Sequence, residues 1–209
     1  MSKIPARIEF SYSVKNFTLS ASMPAPVIVE KKKLDTPPRQ IHLLGDRILR
    51  QPAKRVAKVD EEIRLLVKEM FQTMYSANGI GLAAPQVGVH KQVIVIDIEP
   101  DKPEVETVVL INPVIKKLSR QVCDMEEGCL SVPNVFIDVT RPEEVELSYK
   151  DELGHPRTLK ARGLLSRVIQ HEMDHLNGVL FVDRVENELL LTQELHKNKF
   201  SPSAVKPIK

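Results

Sequence analysis

Apolar residues at Ile63, Leu66, Val67, Met70, Phe71 and Met74 recur every three or four positions, the spacing that lines side chains along one face of a helix. Asp60, Glu61 and Glu62 precede them, where a helix N-terminus favours acidic groups, and Asn78-Gly79 follows as a stop. This pattern predicts a helix over 60–77 with one buried stripe. A second helical period runs through Leu164, Leu165, Val168, Ile169, Met173 and Leu176 and stops at Asn177-Gly178. A third, shorter one covers Glu186 to His196, with leucines at 189, 190, 191 and 195. Between the first two helices the pattern turns to β-branched runs: Val93 to Ile98, Val108 to Ile111, Val114-Ile115, Phe136 to Val139, Val145 to Tyr149 and Arg157 to Lys160. Turn signals at Asn112-Pro113, Arg141-Pro142 and Leu153 to Pro156 separate them. Strands in series with few crossover helices predict an α+β fold, with antiparallel β-sheets packed around the second helix.

The ends of the chain lack such periods. Residues 1–40, with Met23 to Pro26, Lys31 to Lys33 and Pro37-Pro38, read as a partly disordered N-terminal extension. Residues 41–196 form the expected catalytic domain, and 197–209 a basic C-terminal tail.

Composition narrows the function. At 209 residues, 42% hydrophobic, the chain can bury one core. A net charge of +2 and 4% aromatic residues argue against a dedicated DNA- or RNA-binding surface. No apolar run approaches the roughly 20 residues of a membrane-spanning helix. Cys123 and Cys129 would close only a very short loop if paired. Both are read as reduced, and the expected location is cytoplasmic, with a plastid as the alternative.

The second helix carries the chemistry. His171 and His175 stand four residues apart, so both imidazoles lie on one face and can reach one metal ion. Glu172, beside them, is placed to act as a base on a water that such an ion activates. A catalytic metal needs a third protein ligand, and the sequence offers three sources. In the elongated metalloprotease pattern Gly178 fits but Phe181 stands where a third histidine belongs. Glu188 or Glu194 on the third helix would make a metallopeptidase. Cys129, in the run Glu126-Glu127-Gly128-Cys129-Leu130-Ser131-Val132-Pro133, would ligate as a thiolate, and Gly128 leaves room beside it. The thiolate is favoured. The run Gly79 to Gly88 is not a dinucleotide fingerprint, since a helix precedes it and a strand follows. Its small residues suit an extended ligand lying against backbone, with Gln86 as a neutral donor.

Three runs together, Gly79 to Gln86, Glu127 to Ser131 and His171 to His175, resemble in order the three signature motifs of peptide deformylases of the bacterial and plastid type. The resemblance covers roughly residues 41–185. It implies an α+β metallohydrolase that removes the N-formyl group from the initiator methionine of nascent chains and releases formate. By the same resemblance Cys129, His171 and His175 are metal ligands, Glu172 is the catalytic carboxylate, and Gln86 and the Leu130 N–H face the formyl oxygen. The implied ion is Fe(II), with zinc, nickel or cobalt able to replace it. The formylated peptide is expected to add as a strand against Ile80, Gly81 and Gly128. Its methionine would enter an apolar pocket of Ile80, Leu164 and Val168. A pairing of Glu127 with Arg141 is expected from charge, and Arg167 is expected to turn outward. Phe136 departs from the basic residue some members carry. A monomer is expected, with the basic tail a candidate ribosome contact. Besides the metallopeptidase, a catalytically inactive, ribosome-associated metal-binding protein is the other alternative.

Overall fold

Helix α1 (Glu61–Ser76) begins where Asp60 accepts a hydrogen bond from the Ile63 N–H at 3.1 Å, and the chain turns away through Asn78 at φ 59°. Its stripe of Ile63, Leu66, Val67, Met70, Phe71 and Met74 is buried against Leu82, Val93, Val95, Val109 and Ile111. The structure is a computed structural model describing residues 27–102 and 104–208. Strands β1 (Gly81–Ala83), β2 (Val93–Ile96), β3 (Val108–Leu118), β6 (Glu144–Lys150) and β7 (Pro156–Arg162) form a five-stranded sheet in the order β1-β2-β3-β6-β7. Each of its ladders is antiparallel. Strands β4 (Val122–Cys129) and β5 (Val132–Pro142) pair antiparallel in a separate two-stranded sheet.

Helix α2 (Gly163–Leu176) packs against β1, β2, β6 and β7 of the large sheet and β5 of the small one. The fold is therefore α+β, with antiparallel sheets around the histidine-bearing helix. Helix α3 (Glu188–Lys197) buries Leu191 and Leu195 against β5 residues and leaves Leu189 exposed.

Two strand boundaries differ from expectation. Asn112-Pro113 is no turn: β3 runs through it with a register shift between Ile111 and Val114. Asn112 takes φ 53°, and its side chain accepts from the Val56 N–H and donates to the Val56 carbonyl. The extra residue is a bulge that ties a neighbouring segment to the sheet. Strand β4 was hidden because Asp124, Glu126 and Glu127 carry low strand propensity.

Parts of both ends pack on the domain. Residues 1–26 of the N-terminal extension lie outside the described residues. Val27 and Val29 pack on the α1 core, and Arg39 donates to Glu69 at 2.8 Å. At the other end Phe200, Ala204 and Val205 pack against the core under β5. Arg50 donates to the Ala204 carbonyl at 2.6 Å, and the Lys206 N–H donates to Asp183 at 2.7 Å. Among the described residues no helix is long and apolar enough to cross a membrane.

Candidate active site

The β4–β5 turn and α2 bring three distant donors together. One donor atom each from Cys129, His171 and His175 lies within 4.8 Å of the others, and Cys129 Sγ is 3.2 Å from His175 Nε2. The neighbours of each donor orient it. His171 Nδ1 meets a Glu127 carboxylate oxygen at 2.9 Å, which leaves Nε2 for the centre. The Ser131 N–H donates to Cys129 Sγ at 3.4 Å. Glu188 is exposed and Glu194 pairs with Lys197, so neither joins this group.

The donors suit a divalent ion. One soft sulfur and two imidazoles leave a fourth position open. Glu172 Oε2 is buried without a hydrogen-bond partner, and a buried orphan polar atom is rarely tolerated unless something else meets it. Burial raises the Glu172 carboxyl to about 7. Burial would by itself lower the His171 imidazole, but Cys129 and Glu127 outweigh it and hold it above its ordinary value, while burial lowers His175. Ligation requires neutral rings, so a protonated His171 would lose its proton as an ion binds.

Glu127 is the hub behind these three donors. Burial alone would raise its carboxyl, but hydrogen bonds from Arg141 and His171 hold it well below the usual range. Arg141 Nε and Nη2 donate to it at 2.6 and 2.9 Å, and Nη1 donates to Asp174 at 2.7 Å. Arg184 closes the chain on Asp174 with two bonds of 2.6 Å. The expected Glu127–Arg141 pair is thus present. Arg167 does not turn outward. It is only 4% exposed and donates to Glu127 at 2.9 Å and to the Cys123 carbonyl at 2.7 Å. Its place four residues before His171, on the same helix face, was the available signal for this.

Gln86 is buried and fixed at both ends. Its Oε1 accepts from the Ala83 N–H at 2.8 Å, and its Nε2 donates to Ser131 Oγ at 3.2 Å and lies 3.6 Å from Cys129 Sγ. Ser131 therefore holds both the Cys129 thiol and the Gln86 amide, a task that sequence reasoning did not assign to it.

A cavity of about 650 Å³ opens beside these groups. Ile80, Gly81, Gly128, Leu164 and Val168 line it, as do Leu130, Gln86, Cys129, His171 and Glu172. Val168 is buried, whereas Leu164 is 43% exposed at the rim. The glycines are required by close approach: a Cβ on Gly81 would sit 2.5 Å from Glu172 Oε1, and one on Gly128 would sit 2.5 Å from the Phe136 ring.

Comparison with known proteins agrees with this geometry. The family model described as polypeptide deformylase matches residues 38–189. A peptide deformylase of Microchaete diplosiphon is 67% identical over 186 residues, 89% of this chain and 100% of the relative. Peptide deformylase 1 of a Nostoc strain is 65% identical over the same shares. The crystal structure of a Synechococcus elongatus peptide deformylase in complex with actinonin superposes with a TM-score of 0.85 at 59% identity, covering 86% of this chain and 98% of that one. The chain belongs to the peptide deformylase family, metalloenzymes that remove the formyl group from an N-terminal methionine.

Proposed function

We propose that this chain deformylates nascent peptides with Cys129, His171 and His175 holding one divalent ion and Glu172 moving the proton. The observation that carries the reading is the unpartnered, buried Glu172 carboxylate oxygen beside three convergent donors at an open cavity. When bound, the ion supplies Lewis-acid polarisation and lowers the pKa of water toward about 7. Glu172 accepts a proton as a water oxygen bonds to the formyl carbon. It returns that proton to the methionyl nitrogen as the C–N bond breaks, and formate leaves. The Leu130 N–H and the second N–H of Gln86 serve the negative charge that grows on the formyl oxygen; such donors contribute about 3 kcal/mol each. The Ala83 and Ser131 contacts hold the Gln86 amide in the orientation this needs.

The peptide lies as an added strand between Ile80–Gly81 and Gly128, with the methionine side chain against Ile80, Val168 and Leu164. Fe(II) is the proposed ion, since one thiolate and two imidazoles accept it as they accept zinc, nickel and cobalt. We place the enzyme in the cytoplasm and read it as a monomer; every group the reaction needs comes from one chain, so catalysis requires no second copy. Residues 41–196 form the catalytic domain. The exposed Lys197, Lys199 and Lys206 of the 197–209 tail are the proposed ribosome contact.

Formate release from formyl-Met-Ala-Ser tests the reaction, since a peptidase would instead release amino acids. Cys129→Ser is expected to lose its metal during dialysis against a chelator. Parental iron and zinc content in that variant would remove Cys129 from the ligand set. Anomalous scattering at the iron and zinc edges on anaerobically purified protein identifies the ion.

A further inference from the structure

A buried charge next to the cleft takes no part in the chemistry above. Asp97 directly follows β2, and its side chain is fully buried. It accepts a hydrogen bond from the Tyr75 hydroxyl at 2.8 Å and pairs with Lys31 Nζ at 2.9 Å. The same ammonium donates to the Lys102 carbonyl at 2.8 Å and the Val105 carbonyl at 2.9 Å. Its three donors are thus all used. Lys31 lies ahead of residue 38, where the family match begins.

The segment around Lys31 holds both flanks of one stretch. At one flank, the Leu34 N–H donates to Ser76 Oγ at 3.0 Å, at the last residue of α1. At the other flank stands Asp97. Between them lie Ala77, Asn78, Gly79, Ile80, Gly81 and Gln86, the cleft residues of the first half of the chain. The Asp97 N–H donates to the Ile80 carbonyl at 2.9 Å, so the buried charge is one hydrogen bond from the cleft edge.

We propose that Lys31 is a positioning residue for deformylation, and that residues 27–34 are a strap holding the Ile80–Gly81 edge in place for the formylated peptide. The proposal rests on the reading of that edge as the peptide's partner strand. Without Lys31 the Asp97 carboxylate is left buried without its cation, and the turn through Lys102 and Val105 loses its tether. The metal ligands and Glu172 come from β4 and α2, outside the strapped stretch, and Gln86, within it, is pinned separately by the Ala83 N–H and Ser131 Oγ. The effect therefore falls on substrate binding, leaving metal and turnover in place.

Lys31→Met and the double variant Lys31→Met/Asp97→Asn test this, by hydrogen exchange and by steady-state kinetics well below the melting temperature. Both are expected to keep the parental metal content and to exchange the Asp97 amide faster. Their KM for formyl-Met-Ala-Ser should rise on the order of tenfold with kcat within about twofold, as misplacement of a positioning element implies. The double variant lacks a lone buried charge, so it regains thermal stability without regaining KM. A KM that returns with stability in the double variant, or a parental Asp97 exchange rate in both, overturns the strap. In the parent, saturating Met-Ala-Ser should slow exchange at Ile80, Gly81 and Leu82. Absence of that slowing overturns the peptide-edge reading instead, and the two failures are told apart.

Discussion

Helices α1 and α2 have nearly equal lengths, 16 and 14 residues, but α1 buries one stripe whereas α2 is buried around most of its circumference, with charged and polar groups beside its apolar ones. α1 buries leucine, isoleucine, valine, methionine and phenylalanine against an apolar sheet. α2 sets Val168, Ile169 and Leu176 in the sheet core and in addition buries Arg167, Gln170, His171, Glu172, Asp174 and His175. Apolar burial is non-directional and tolerates any side chain of fitting volume. Ionic burial must be matched atom by atom, because a charge that loses its partner keeps its desolvation penalty. The Glu127–Arg141–Asp174–Arg184 chain supplies that matching for α2. One helix is scaffold by area, the other by complementarity, and only the second can hold a metal ligand in a fixed tautomer.

The sharpest test of this contrast is Glu172→Ala. Glu172 is the member of the α2 face whose carboxylate has an unmatched oxygen, so its removal breaks no structural pairing through that atom. Turnover of formyl-Met-Ala-Ser should fall by about 10³-fold, within the range for loss of a general base. Metal content by atomic absorption should stay parental. Full turnover in the variant would take Glu172 out of the mechanism.

A matched pair of substitutions separates the two kinds of burial. Arg141→Met leaves Glu127 with Arg167 and His171 and Asp174 with Arg184 alone, and is expected to cost about 3 kcal/mol in urea unfolding, the low end for breaking a buried pair. It should also weaken metal binding by about 10–100-fold, because Glu127 loses the partner that orients it toward His171. Met70→Ala in α1 should cost a comparable amount, about 2–5 kcal/mol, through its cavity. Its metal affinity, measured by chelator competition while the protein is folded, should remain parental. Equal metal affinities in the two variants would erase the distinction.

The same contrast explains what could be read in the chain beforehand. The α1 stripe was legible because its period and its burial coincide. So was the His171–Glu172–His175 face, through its spacing and its helical flanks. Strand β4 was not legible, since Asp124, Glu126 and Glu127 disfavour a strand by propensity, and only pairing with β5 and the partners of Glu127 from β5 and α2 override that. Arg167 was misread for the same reason: a guanidinium in a helix is ordinarily a surface group, and its acceptors lie about 28 to 44 residues away in the sequence. The bulge at Asn112 looked like a turn because φ > 0 at an asparagine serves either purpose. The strap escaped notice because Lys31 sits within a lysine run whose other members give no sign that one of them is buried.

The smallest expected effect is one of pH, and it again separates the helices. In the metal-free protein, burial raises the Glu172 carboxyl from an ordinary value of 4.5 to about 7. Below pH 4.5 the group is neutral in both folded and unfolded chains and costs nothing. As pH climbs toward 7 the unfolded chain ionises first, so the folded state loses stability, by up to about 3 kcal/mol once both forms are charged. Glu127 has the opposite sign. Its lowered carboxyl contributes stability above the ordinary value, lost as pH falls through the folded one. Glu172→Gln cannot titrate there, so the metal-free variant should match the parent at acid pH and exceed it progressively above pH 4.5, levelling off past about 7. Met70→Ala should instead run parallel to the parent throughout, displaced by a constant amount, since no proton is involved. Urea midpoints measured across this range decide it: a parallel Glu172→Gln curve would mean that water or a neighbouring group already meets the carboxylate, and that α2 is as fully matched as α1 is filled.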